Sequence, residues 1–205
     1  MLSLQTVFPD TLELLRTLSR QPLLSQMRLV GGTSLALQYG HRRSVDLVFF
    51  GTTTENVDEL TEVMHLCATD VVRGNCTKSI KTYLLDGIKV DIVNYKYAWI
   101  DNPLTEDGVI LASPKDIAAM KVNAIMGRGT KKDFVDMYFL LQHYSFKDIM
   151  QFYLQKYTDG SEYRALLSMT YFDDADLQPM PFMFQPVEWE SLKREIKKNV
   201  EEYIK

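Results

Sequence analysis

The chain has little of what several protein classes depend on. Two cysteines, Cys67 and Cys76, are all it holds in 205 residues, with eight residues between them. That spacing fits no usual zinc pattern, and no Cys–His cluster accompanies it. With no signal-like N-terminus, the expectation is a reduced, cytoplasmic protein whose thiols are inert. No apolar run approaches the roughly 20 residues that a membrane-spanning helix needs. Positive charge is not in excess either: 23 Lys and Arg against 27 Asp and Glu leave a net charge of −4. That balance argues against a surface coating nucleic acid broadly and leaves room only for a local basic patch. Internal repeats and low-complexity tracts are also lacking. What is present, 46% hydrophobic and 24% charged residues, is the balance of a globular domain with or without a helical appendage.

The densest chemistry lies in residues 29–50. A strand over Met27–Val30 runs into Gly31-Gly32, where the backbone can approach a bound group. Thr33 and Ser34 can then cap a short helix, Ser34–Gln38, closed by Gly40. Such a helix start is an anion site. A second strand, Val45–Phe50, carries one carboxylate, Asp46. Alternation puts Asp46, Val48 and Phe50 on one face and Val45, Leu47 and Phe49 on the other. A carboxylate beside a phosphate cradle makes chemical sense when a divalent cation sits between them. In the basic connector, His41 reads as a solvated or packing residue. Arg42 and Arg43 either offer paired donors to phosphate or form a solvated turn. Ser44 either hydrogen-bonds Asp46 or a phosphate, or shapes the turn.

Around this stretch the chain reads as alternating helix and strand. Pro9–Leu24 is expected to be a helix broken near Pro22, and Thr53–Cys67 another, burying Val57, Leu60, Val63 and Met64. Val71–Tyr97 is β-rich, with a hairpin turn at Asp86-Gly87 between Ser79–Leu85 and Ile88–Tyr95. In the latter strand Lys89, Asp91 and Val93 share a face. Asp91 is either a functional carboxylate or one salt-bridged on an exposed face. Asp101–Asp107 reads as a polar loop and Val109–Ala112 as a short strand. Ser113-Pro114-Lys115-Asp116 opens a helix with a capping serine, a proline at the first helical position and an acid three residues after the cap. On that helix Lys121 shares a side with Ile117 and Arg128, so it snorkels outward or finds an anion. After Gly127-Arg128-Gly129 a further helix begins at Thr130. There Asp133 is placed to close a capping box, while Asp136, one turn on, has no such duty. Phe146–Tyr157, Ser161–Ser168 and Val187–Ile204 read as helices joined by a loop over Asp173–Pro186.

The order apolar-Gly-Gly-Thr-Ser, helix, Arg42-Arg43-Ser44-x-Asp46-x-x-Phe49-Phe50 resembles the polymerase-β-like nucleotidyltransferases. More narrowly it resembles the AbiEii/AbiGii group of abortive-infection and toxin–antitoxin proteins, over roughly residues 25–145. The resemblance implies an α+β fold: a nucleotidyltransferase-like mixed sheet flanked by helices in residues 1–112, and a small C-terminal helical bundle in 113–205. It implies a nucleoside triphosphate substrate with Mg²⁺ or Mn²⁺. Asp46 and Asp91 would hold the metal, and Gly31, Gly32, Thr33, Ser34, Arg43, Ser44 and Lys121 would hold the nucleotide. Val90-Asp91-Ile92 matches the setting of the superfamily's third aspartate. Ala119-Met120-Lys121 matches a lysine that meets the phosphates, and Arg128-x-x-Lys131-Lys132-Asp133-Phe134-x-Asp136 matches a final motif that makes Asp136 an active-site residue. The implied acceptor is RNA, tRNA foremost, or a protein, and the implied partner is an antitoxin. One departure is large. The family's second aspartate, two residues after the first, is Val48 here. Either another carboxylate (Asp136, Asp133 or Glu55) substitutes, or the chain binds nucleotide without transferring it, or it carries an inactivating substitution. A transferase acting on a small molecule such as an antibiotic uses the same fold.

Overall fold

The computed structural model describes every residue except Glu55, so the suggestion that Glu55 replaces the missing carboxylate lies outside the described residues. The chain forms two compact units. The first comprises Met1–Gly40, Ser44–Lys96 and Pro103–Ala112; the second comprises His41–Arg43, Tyr97–Asn102 and Ser113–Lys205.

In the first unit, helices α1 (Pro9–Ser19), α2 (Gly31–Tyr39) and α3 (Val57–Cys67) accompany a mixed sheet. Its strands are β1 (Arg28–Leu29), β2 (Leu47–Gly51), β3 (Val71–Cys76), β4 (Ile80–Leu85), β5 (Ile88–Asn94), β6 (Leu104–Glu106) and β7 (Val109–Leu111). Their spatial order is β3-β4-β5-β2-β1-β7-β6. The pairs β2–β5 and β1–β7 are parallel and the others antiparallel. One sheet face carries Leu47, Phe49, Tyr83, Leu85, Val90 and Ile92, all buried in a core with Leu14, Leu15 and Leu18 of α1 and Leu60 and Met64 of α3. The expected alternation therefore holds: the strand positions in between, Val48, Phe50, Asp91 and Val93, are only partly buried.

Local signals account for most element ends. Asp86 and Gly87 both take positive φ, 49° and 82°, as a two-residue hairpin turn requires. Gly40 ends α2 at φ 68°. Several expectations need correction, among them the loop expected over Asp173–Pro186, which opens with a short helix at Asp173–Asp176. The stretch Pro9–Leu24 is a helix only to Ser19, followed by a 3₁₀ turn at Pro22–Leu24, because the proline ring cannot continue the ladder. The polar loop over Asp101–Asp107 contains strand β6, which turns into β7 at Asp107-Gly108, φ 54° and 76°. The same Asp-Gly signal that marks the first hairpin marks this one. Helix α2 begins at Gly31 rather than Ser34, with Val30 as its N-cap and no side-chain cap.

The second unit is helical: α4 (Pro114–Gly127), α5 (Lys131–Leu141), α6 (Phe146–Lys156), α7 (Glu162–Met169), α8 (Asp173–Asp176) and α9 (Trp189–Ile204). Helix α4 packs against α5, α6 and α7, and α9 closes on α5, α6 and α7 through Leu192, Ile196 and Val200. The predicted start of α4 is realised: Ser113 Oγ accepts from the Asp116 amide at 3.1 Å. Asp116 does more than complete that cap. Its buried carboxylate accepts from Lys156 Nζ at 2.7 Å and from the Ile100 amide at 2.9 Å, tying α6 and the 97–102 segment to α4.

Candidate nucleotide and cation site

In the parallel pair β2–β5, Leu47 stands opposite Val90 and Val48 opposite Asp91. Asp46 immediately precedes β2, two residues before Val48. By strand alternation Val48 and Asp91 belong to the same face of the sheet, the one turned away from the core, and Asp46, just outside the strand, stands at the next position of that alternation. Asp46 is partly exposed, and the Asp91 side chain is 16% exposed. The glycine-led start of α2 is fastened to this edge by Thr33. Its hydroxyl is 2.8 Å from Ser44 Oγ and donates to the Asp46 carbonyl. Thr33 and Ser34 are therefore not helix caps. Both are buried, and Ser34 Oγ accepts from Gln38 at 3.1 Å. Ser44, also buried, shapes the connector into Asp46.

Two groups that the sequence reading did not assign hold Asp91. Thr82 Oγ1 donates to its Oδ1 at 2.7 Å, and Lys89 Nζ donates to its Oδ2 at 2.8 Å. A signal for both exists in the sequence. The turn at Asp86-Gly87 fixes the register of β4 and β5, placing Thr82 opposite Asp91, and Lys89 precedes Asp91 by two positions on the same face.

One divalent cation fits these residues, since hard cations such as Mg²⁺ use one or two carboxylates and complete their shell with water and substrate phosphates. A bridged pair of cations does not fit. Val48 occupies the position opposite Asp91, and no group of three or more His, Cys, Asp or Glu residues suited to a metal comes together among the described residues.

The remaining motif residues assemble in the second unit as a buried ionic network. Asp136 is fully buried. Its Oδ1 accepts from Arg42 Nε at 2.6 Å and lies 2.8 Å from His41 Nε2; its Oδ2 accepts from Arg42 Nη2 at 2.8 Å and pairs with Lys121 at 2.5 Å. Lys121 also pairs with Asp133 at 2.9 Å, and Asp133 accepts from Arg128 and Thr130. Burial by itself would raise the Asp136 carboxyl. The charges of Arg42 and Lys121 and the hydrogen bonds from His41 and Arg42 outweigh it, holding the group well below the carboxylate range. Asp133 is likewise held low, against its own burial, by Lys121, Arg128 and Thr130.

Several expectations change here. Asp136 has no oxygen left to ligate a cation, so its part is to position Arg42, His41 and Lys121. Asp133 makes no simple capping box, because Thr130 donates to its carboxylate while capping no helix amide. Arg42 is buried against Asp136 and is not a solvated turn residue. His41, completely buried with its ring 4.8 Å from Phe139, is the packing residue of the two alternatives expected and not the solvated one. Arg43 lies over Phe182, 4.4 Å from the ring centre, and its amide donates to the Phe182 carbonyl.

Burial depresses His41 from its ordinary 6.5; the Asp136 hydrogen bond and charge oppose that, while Arg42 and Lys121 reinforce it. An unfolded chain takes up a proton on this ring below about pH 6.5, and the folded chain does so only at lower pH. The stability contributed by the neutral ring is thus complete above 6.5 and is lost as pH falls below it. Thermal unfolding between about pH 7.5 and 5 should show the midpoint falling for the native chain and a flatter dependence for His41→Gln. Parallel slopes for the two chains would contradict the assignment.

A parallel strand pair bearing carboxylates beside a glycine-led helix, within a mixed sheet, is the arrangement expected of a nucleotidyltransferase fold. The sequence pattern of the family described as nucleotidyl transferase AbiEii toxin, type IV TA system, matches residues 13–204. The chain belongs to this AbiEii family. It is 32% identical over 191 residues to an uncharacterized protein of Aquifex aeolicus, covering 86% of this chain and 87% of that one. In fold it is similar to JHP933 from Helicobacter pylori, with TM-score 0.59 and 18% identity over 97% of this chain and 90% of the other. It is also similar to MenT4, a nucleotidyltransferase toxin of Mycobacterium tuberculosis, with TM-score 0.55 and 13% identity over 97% and 87%.

Proposed function

We propose that the chain binds a nucleoside triphosphate together with one Mg²⁺ or Mn²⁺ ion and transfers a nucleotide to an RNA, tRNA foremost, or to a protein acceptor. It would act in the cytoplasm as the toxin of a toxin–antitoxin or phage-defence pair, held in check by an antitoxin. The observation that carries this reading is the β2–β5 register, with Asp91 opposite Val48 and Asp46 two residues before Val48. Asp46 and Asp91 would hold the cation, which when bound polarises the phosphoryl group and offsets developing charge. The backbone amides at Gly31 and Gly32, at a helix start, suit the phosphates. Thr33 and Ser44 fix the backbone that presents Asp46. Lys121, buried and paired with Asp133 and Asp136, would balance the ionic network of the second unit, with Asp136 as the positioning residue that holds its ammonium. In the reaction an acceptor hydroxyl attacks the α-phosphate in line, gives up its proton and displaces pyrophosphate.

Val48 favours a second reading, a member that binds nucleotide and no longer transfers it. The two are separated by incubating the chain with each labelled nucleoside triphosphate, Mg²⁺ and total tRNA or cell protein. The transferase reading expects slow labelling that Asp46→Asn abolishes. Labelling by Val48→Asp alone would establish the silent reading, and labelling that survives Asp46→Asn would remove the site from the reaction.

A further inference from the structure

We infer that Lys89 is a built-in counter-cation of the acidic pair, taking on Asp91 the place that a second metal ion would need, so that this chain loads a single divalent cation. The inference rests on the reading of Asp46 and Asp91 as the cation site and adds Lys89 to it. Both oxygens of Asp91 are engaged, one by Thr82 at 2.7 Å and the other by Lys89 at 2.8 Å. Lys89 lies two residues before Asp91, on its face of β5. Extending the Leu47–Val90 pairing by one residue would set the Lys89 backbone beside that of Asp46, while the ammonium itself pairs with Asp91. Opposite Asp91, Val48 has no oxygen to offer an ion. A second divalent cation at that point would have Asp91 as its one protein carboxylate and would have to displace an ammonium from it. The geometry replaces a carboxylate-bridged pair of ions with one ion and one lysine.

The Lys89 side chain is 50% exposed, so it can swing clear at modest cost, and its effect on cation affinity is correspondingly modest. Free Mn²⁺ measured by electron paramagnetic resonance reports binding without reference to activity. Lys89→Met should tighten Mn²⁺ binding about threefold in the absence of nucleotide, as loss of a half-exposed competing ion pair implies. With a non-hydrolysable triphosphate the native chain should saturate at one Mn²⁺, and the double variant Lys89→Met, Val48→Asp at two. Equal affinities for the native chain and Lys89→Met, both lost in Asp46→Asn, would overturn the role of Lys89 and leave the cation site standing. No saturable Mn²⁺ binding in any of these chains would overturn both. Because Lys89 is a half-exposed strand residue, circular dichroism should show each variant folded.

Discussion

Replacing Asp136 by alanine should lower the thermal midpoint of the second unit by about 10 °C. The carboxylate is wholly buried, and its removal leaves Arg42 and Lys121 facing each other without the anion that separates them. Breaking a buried pair by deleting one partner costs about 3–5 kcal/mol, because the surviving charge is left desolvated. In a chain of this length each kcal/mol moves the midpoint by about 2–4 °C. Asp133 cannot compensate, since Lys121, Arg128 and Thr130 already draw on both its oxygens. Asp136→Asn should fall between the two, keeping the shape and losing the charge. A carboxylate whose task was to ligate a cation would behave oppositely: deleting it removes like-charge repulsion and leaves the midpoint unchanged or higher. Calorimetry on the two variants beside Asp46→Asn therefore separates anchors from ligands, with a drop expected for Asp136 and none for Asp46.

The second large effect concerns rate. Val48→Asp should raise nucleotide transfer by about a thousandfold over the native chain. A carboxylate there would stand opposite Asp91 in the β2–β5 register and two residues from Asp46, supplying a ligand that two ions share once the bound triphosphate draws Lys89 clear of Asp91. If one such ligand contributes about 4 kcal/mol to the transition state, the factor is about three decades. The same change should lower stability in the absence of divalent ions, because three carboxylates would then share one sheet face. Mn²⁺ should restore it by binding the folded form. An unchanged rate together with an unchanged response to Mn²⁺ would show that position 48 does not face the reaction.

What the sequence could disclose followed the range of the interaction involved. The start of α4 was legible because a cap is written in four adjacent residues, Ser113 to Asp116. The Asp86-Gly87 hairpin, like the alternation of β2 and β5, is also local. Strand β6 went unread because three residues carry too little pattern, although Asp107-Gly108 marked its turn. The fate of Arg42 was not legible at all. Its partner, Asp136, is 94 positions away, and nothing in the dipeptide Arg42-Arg43 says which guanidinium turns to a carboxylate and which lies over Phe182. Lys121 was recognisable as a lysine needing an anion; that it would find two required the packing of α5 against α4. The site itself was partly legible. Asp46 and Asp91 stood out as lone acids in apolar strands, whereas Thr82 and Lys89 become visible only when the hairpin register is counted back from its turn.

Central to the proposed function is one divalent ion shared by Asp46, Asp91 and a bound triphosphate. Anomalous diffraction from a crystal of the chain grown with Mn²⁺ and a non-hydrolysable nucleoside triphosphate tests this directly. One Mn²⁺ peak within coordination distance of Asp46 and a phosphate oxygen, beside the Val48–Asp91 rung of the sheet, is the predicted result. A nucleotide bound elsewhere, or Mn²⁺ peaks that touch neither aspartate, would contradict it.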